Sequence, residues 1–181
     1  MSKVAIKGAD TGTGVFTLES PATNTDRTLV LPDEAGTIDT LQRAGNVLQV
    51  VQGSTSVQVN TTSATFIDTG LSVSITPSSA SSKVFVMAVH QGCGKYSANN
   101  SLALNLLRDS TQIHTGGTKG VNSNDAGESW VGSYTLSYLD SPSTTSAVTY
   151  KTQLSNVTGS GTVRVQSSDG VSTIVAMEIA A

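Results

Sequence analysis

The chain has 181 residues, 37% hydrophobic and only 13% charged, with a formal net charge of -3. That length suits one moderate domain plus a small appendage, and the apolar share suffices for a core, so neither a disordered nor a membrane-spanning class fits. The near-neutral balance gives no reason to expect nucleic acid or an anionic membrane as partner.

Serine (26 residues) and threonine (25) stand where an ordinary soluble protein places Lys and Glu. A β-branched hydroxyl residue suits an exposed strand face. The single cysteine, Cys93, excludes an intrachain disulfide. Residues 1–8 lack the apolar run of a signal peptide, so synthesis in a reducing cytoplasm is expected. Sequons at Asn60, Asn99 and Asn156 then carry little meaning.

From the beginning of the chain, residues 1–45 hold brief apolar pairs, Val4/Ile6, Phe16/Leu18 and Leu29/Leu31, separated by polar turns. So few apolar side chains cannot offset the ordering entropy of such a segment. It is expected to become ordered against copies of itself or against a larger body. Leu41, Leu48 and Val51 keep a rough seven-then-three spacing through a Gly45-Asn46 break. This spacing suits a short neck where chains meet, though an ordinary linker is the simpler reading.

From residue 46 the pattern changes to repeated period-two alternation, the mark of strands with one buried face. Leu71, Val73 and Ile75 alternate with Ser72, Ser74 and Thr76. Residues 84–89 (Val-Phe-Val-Met-Ala-Val) and most of 174–179 are apolar on both faces, so these strands are expected to be central or to face both a core and a neighbouring subunit. Trp130, Tyr134, Leu136 and Tyr138 share one face, read as core. Val148, Tyr150, Thr152 and Leu154 share another. Turn signals separate the runs, and Ser168-Asp169-Gly170 reads as a hairpin between 163–165 and 171–179. No helix is expected. Eight or nine short strands predict an all-β fold, a β-sandwich of jelly-roll type over residues 46–181.

No chemistry of catalysis stands out. His90 and His114 are too few for a histidine metal cluster, and Cys93 lacks a nominated base. Polysaccharide cleavage needs two carboxyls at a defined separation. Asp10, Asp26, Asp33, Asp68, Asp109, Asp125, Asp140 and Asp169 mostly fall in turns, where side-chain bonds to the backbone explain them. The expectation is therefore a non-enzyme with no cofactor and no metal. Two polar loops are the candidates for binding. One, residues 91–100, carries Lys95, Tyr96, Asn99 and Asn100. The other, residues 115–128, carries Lys119, Asn122, Asn124 and Asp125.

Residues 14–37 read Gly-Val-Phe-Thr-Leu-Glu-Ser-Pro-Ala-Thr-Asn-Thr-Asp-Arg-Thr-Leu-Val-Leu-Pro-Asp-Glu-Ala-Gly-Thr. This strand, Pro-Ala-Thr-Asn turn, Arg-Thr-Leu-x-Leu-Pro and Gly-Thr resembles a module near the start of many phage fibre and tail proteins. Residues 44–52 resemble the junction before their distal domains, and 172–179 resemble the last distal strand. The resemblance implies a trimeric virion appendage assembled on the phage particle. Residues 1–45 would dock to another virion structural protein and trimerise, through Val4, Ile6, Phe16, Leu18, Leu29, Leu31, Leu41 and Leu48. The distal domain would meet a host-surface glycan or protein, as a tail fibre does. The same parts serve a head fibre or capsid decoration protein, and more weakly a polysaccharide-degrading tail enzyme. Neither nucleic acid nor membrane insertion is implied.

Overall fold

A computed structural model describes residues 43–96, 100–117, 121–122, 127, 129–158 and 161–181, together with Thr13, Thr17, Asn24 and Thr25. For residues 121–122 and 129–131 the backbone alone is described. The chain divides into two units, residues 1–38 and 39–181. Val4, Ile6, Phe16, Leu18, Leu29, Leu31 and Leu41 lie outside the described residues.

Among the described residues there are eleven strands and no helix. In chain order they are β1 (Val47–Thr55), β2 (Val59–Thr61), β3 (Ile67–Ile75), β4 (Lys83–Lys95), β5 (Ser101–Arg108), β6 (Thr111–Thr115), β7 (Val121–Asn122), β8 (Ser129–Asp140), β9 (Val148–Asn156), β10 (Val163–Val165) and β11 (Ser172–Ile179). They form two antiparallel sheets. In the first, β4 pairs with β8 on one edge and with both β11 and β10 on the other; β1 pairs β11 and β2 pairs β10. In the second, β3, β9, β5 and β6 lie in that order, with β7 also beside β5.

β1 and β2 are two parts of one row, as are β10 and β11. Each sheet therefore has four rows, and sequence-adjacent rows mostly fall in different sheets. This is the strand order of a jelly roll. The predicted hairpin at Ser168-Asp169-Gly170 is not one. β10 and β11 run in the same direction along one edge of β4, and residues 166–171 bulge out between them. Gln166, Ser168 and Asp169 take positive φ values of 56, 54 and 60° to make this excursion. The turn chemistry was real, but its partner was β4.

The core follows from the alternation. Leu71, Val73 and Ile75 of β3 meet Val84, Val86 and Ala88 of β4 and Leu102, Leu104 and Leu106 of β5, with Leu136, Tyr150, Leu154, Ile174 and Ala176. Thr69 and Thr152, polar members of two inward sets, satisfy each other, their hydroxyl oxygens 2.6 Å apart. Tyr138, expected in the core, instead sits at its margin, 36% exposed, with its ring stacked on His114. It belongs to β8, whose free edge leaves one side of the ring without a neighbouring strand.

Both open edges of the sandwich are drawn shut. At the β8/β6 edge the Tyr134 hydroxyl donates to the Gly116 carbonyl. Below it Asp140 accepts from Arg108 Nη1 at 2.8 Å and from the Tyr150 hydroxyl at 2.8 Å. Asp140 is therefore a buried node and not merely a turn residue. At the opposite edge β1 approaches β3 so closely that a Cβ on Gly53 would lie 2.0 Å from the Ser72 carbonyl oxygen. Glu178, fully buried on β11, ties down the lower loop. It accepts from Ser78 N and Oγ, both at 2.7 Å, and from Gln49 Nε2. Burial alone would raise its carboxyl, but these donors outweigh burial and hold it at about 2.

Two expectations follow. Gly53→Ala has to force two backbones apart and should lower stability by about 3 kcal/mol or more, whereas Gly127→Ala, with open space around it, should change little in thermal unfolding. Glu178 has a folded pKa below its ordinary 4.5, so its contribution is complete above pH 4.5 and lost as pH falls through about 2. Glu178→Gln should therefore cost roughly 2–3 kcal/mol at pH 7, with the gap to wild type closing between pH 4.5 and 2 in pH-resolved denaturant titrations.

Candidate functional site

The alternation of strand direction sends the β2–β3, β4–β5, β7–β8 and β9–β10 connections to one end of the sandwich. The backbone registers bring the strand ends that flank the two sequence-nominated loops together there. Ser101 pairs with Asn122, and Lys95 pairs with Ser129, so β5 begins beside β7 and β4 ends beside β8. Residues 43–47 lie at the opposite end, where Gly45 N donates to Ala180 O at 2.8 Å.

The loop end is held by a polar clasp around Asn156. Its Nδ2 donates to Asn100 Oδ1 at 2.9 Å and to the Gly161 carbonyl at 2.6 Å. Its Oδ1 accepts from the backbone N–H groups of Ser101 and Thr158, each at 3.3 Å. Its own N–H donates to Ser63 O at 2.8 Å. Asn100 in turn donates to the Tyr96 carbonyl and accepts from Gly161 N at 2.8 Å. Three connections are thus locked together by two buried amides. A sugar could not be attached at the Asn156 sequon in this fold, since that side chain is fully buried.

Of the sequence-nominated residues, Lys95 and Asn100 are fully buried, so neither offers a surface to a ligand here. Lys95 shares a cross-strand position with Val163 of the core, at the end of β4. Tyr96 is 37% exposed. The Arg164 guanidinium lies 4.1 Å from its ring centroid, a cation–π contact that stiffens the aromatic. Burial lowers the pKa of Arg164 from its ordinary value. Asn99, Lys119, Asn124 and Asp125, and the side chain of Asn122, lie outside the described residues. Leu48, nominated for docking, is half-buried on β1.

Asn156 and Arg164 were missed by sequence reasoning. The signal for Arg164 was present: it is a lone charge between two valines in a strand of a charge-poor chain. Asn156 closes β9 before Val-Thr-Gly-Ser-Gly, which marks a loop but does not reveal what the amide bridges.

His90, Cys93, Asp68 and Asp109, weighed for catalysis, each take part in the fold's own contacts. His90 is fully buried, its Nδ1 3.1 Å from Gln166 Nε2, and burial lowers it to about 4, so it is neutral at pH 7. Burial pushes the Cys93 thiol up to about 12, and a protonated thiol is a poor nucleophile. Asp68 pairs with Lys151 at 2.9 Å on the outer face of the second sheet. Asp109, at φ 53° in the β5–β6 turn, accepts from Thr149 N. Among the described residues no group of His, Cys, Asp or Glu could hold a metal ion, and no helix is long and apolar enough to cross a membrane.

No family model matches the chain and no curated sequence is similar to it. Among solved structures it is similar to the VP2 subviral particle of infectious bursal disease virus, with 12% identity and a TM-score of 0.43, covering 86% of this chain and 37% of that one. It is also similar to the insecticidal delta-endotoxin Cry8Ea1 of Bacillus thuringiensis, with 14% identity and a TM-score of 0.34, covering 67% of this chain and 19% of that one. The chain thus spans well under half of each neighbour. At these scores neither likeness assigns it a role.

Asn156→Ala would strand several donors and acceptors at once. It is expected to cost about 2–4 kcal/mol in thermal unfolding and to open residues 157–162 to limited proteolysis while the rest of the sandwich stays protected.

Proposed function

We propose that this protein is a virion appendage of the tail-fibre kind, which meets a host surface with the loop end of its distal domain. The observation that carries this reading is the polarity of the sandwich. Residues 43–47, where the N-terminal segment joins, and the loop cluster lie at opposite ends of rows as long as the 13-residue β4, which spans about 40 Å. A segment that docks at one end and loops that bind at the other suit an adhesive spacer. The resemblance of residues 14–37 to phage fibre modules supplies the docking half.

Binding rather than catalysis is supported by the bonded state of Asp68, Asp109, Asp140 and Glu178 and the burial of His90 and Cys93. Tyr96, an aromatic backed by a guanidinium, has the chemistry to stack on a sugar face or a peptide side chain. A single site of this kind would be weak, and three copies on one homotrimer would raise its avidity. The head-fibre or capsid-decoration reading uses the same polarity with a different docking partner.

Gold-labelled antibody against this chain, viewed on intact virions, separates the two. Label at the tail tip is the expected result. Label spread over the shell and absent from the tail would overturn the tail-fibre reading in favour of a capsid-bound fibre.

A further inference from the structure

The two outer faces of the sandwich differ in a way that the fold alone does not require. The face of the β3–β9 sheet follows the usual pattern for water: Ser72 and Ser74 are exposed, Thr149 bonds Ser74, and Lys151 pairs with Asp68. The outer face of the β1–β11–β4–β8 sheet is apolar. Its cross-strand registers place Val50, Met177, Phe85 and Leu139 in a single row. The next row is Gln52, Val175, Met87 and Ser137, and the third is Ser54, Thr173, Val89 and Thr135. Val50, Met87 and Leu139 are 56, 36 and 47% exposed. Central position explains the apolar inner face of β4 and β11, but an antiparallel sandwich leaves the outer face to water unless something covers it.

We infer that this outer face is the contact surface for a second copy of this chain. Two features of the face favour a copy of itself as occupant. It carries no charged side chain in its three rows, with Lys83 only at the lower rim, so two copies meet without like-charge repulsion even though the whole chain is negative. Its anatomy is that of an interface, an apolar centre bordered by the neutral polar side chains Gln52, Ser54, Thr135, Ser137 and Thr173. Four strands and three rows cover about 400 Å2, half of the ~800 Å2 that each partner contributes to a standard interface, so the face is one part of the contact. Val47, 52% exposed, and Ile179 pair one row lower and extend it. The inference rests on the oligomeric appendage reading and gives it a location.

Light scattering on the full 181-residue chain over a range of concentrations tests it. The wild type is expected to be a trimer in which three such faces meet about one axis. V50K/M87K/L139K is expected to run as a folded monomer by circular dichroism, with the concentration at half-association raised at least ~100-fold, while S72K/S74K on the opposite face associates like wild type. Should the lysine variant fail to fold, V50T/M87T/L139T replaces it, with an expected rise of ~10-fold. Variants of the apolar face that assemble as wild type does would overturn the assignment of the surface and leave the oligomeric reading standing. Loss of assembly in S72K/S74K as well would also overturn it. A wild type that is monomeric throughout would overturn both, and the face would then serve another partner.

Discussion

The pairing of β4 with β8 on one edge and with β11 and β10 on the other is the interaction on which the rest of the domain depends. It joins residues far apart in sequence, such as Val84 with Asp140 and Val89 with Thr173. Two rows drawn from the end of the chain must therefore flank one from its middle. The intervening strands are displaced to the second sheet, and every second connection is delivered to the same end. The bulge at residues 166–171 is a consequence of the same pairing. Ser167 passes so close to Gly92 that a Cβ there would lie 2.3 Å from the Ser167 carbonyl oxygen. Glycine is what allows the excursion to lie against β4.

Charge is used sparingly and mostly as a fastener. Glu178 secures the lower loop to β11, Asp140 joins Arg108 and Tyr150 across the two sheets, and Asp68 holds Lys151 on the polar outer face. Remaining surface polarity comes largely from hydroxyl groups. Such a surface is neutral over long stretches, which removes the repulsion that keeps most soluble chains apart. One outer face goes further, with Val50, Met177, Phe85 and Leu139 in one wholly apolar row. Chemistry at the loop end and association along the sheet are thus separated onto different surfaces of one small sandwich.

Much of the fold was legible because period two reports a buried face directly. Leu71, Val73 and Ile75, and Val148, Tyr150 and Leu154, are inside as their spacing predicts. Periodicity reports faces and not partners, however. Ser168-Asp169-Gly170 has the composition of a hairpin turn, yet the strands it separates pair with β4 rather than with each other. Tyr138 has the right phase for the core, but an edge strand cannot cover it. The two loops nominated for binding join strand ends that meet at one end of the sandwich. Lys95 and Asn100 are polar residues near a loop, the usual mark of exposure. Asn100 is covered by a connection 61 residues later in the chain, as the bond from Gly161 N to its Oδ1 records, and Lys95 lies between β10 and β8, paired with Val163 and Ser129.

By itself the sequence determined that this is a chain of strands with one apolar side each, poor in charge and without a disulfide. These properties follow from side-chain identity and spacing, which act locally. Only the tertiary structure decided which strands share a sheet and that the strand ends flanking the candidate loops gather at the end opposite residues 43–47. Those depend on hydrogen-bond registers between distant segments, and no local pattern of residues encodes a register.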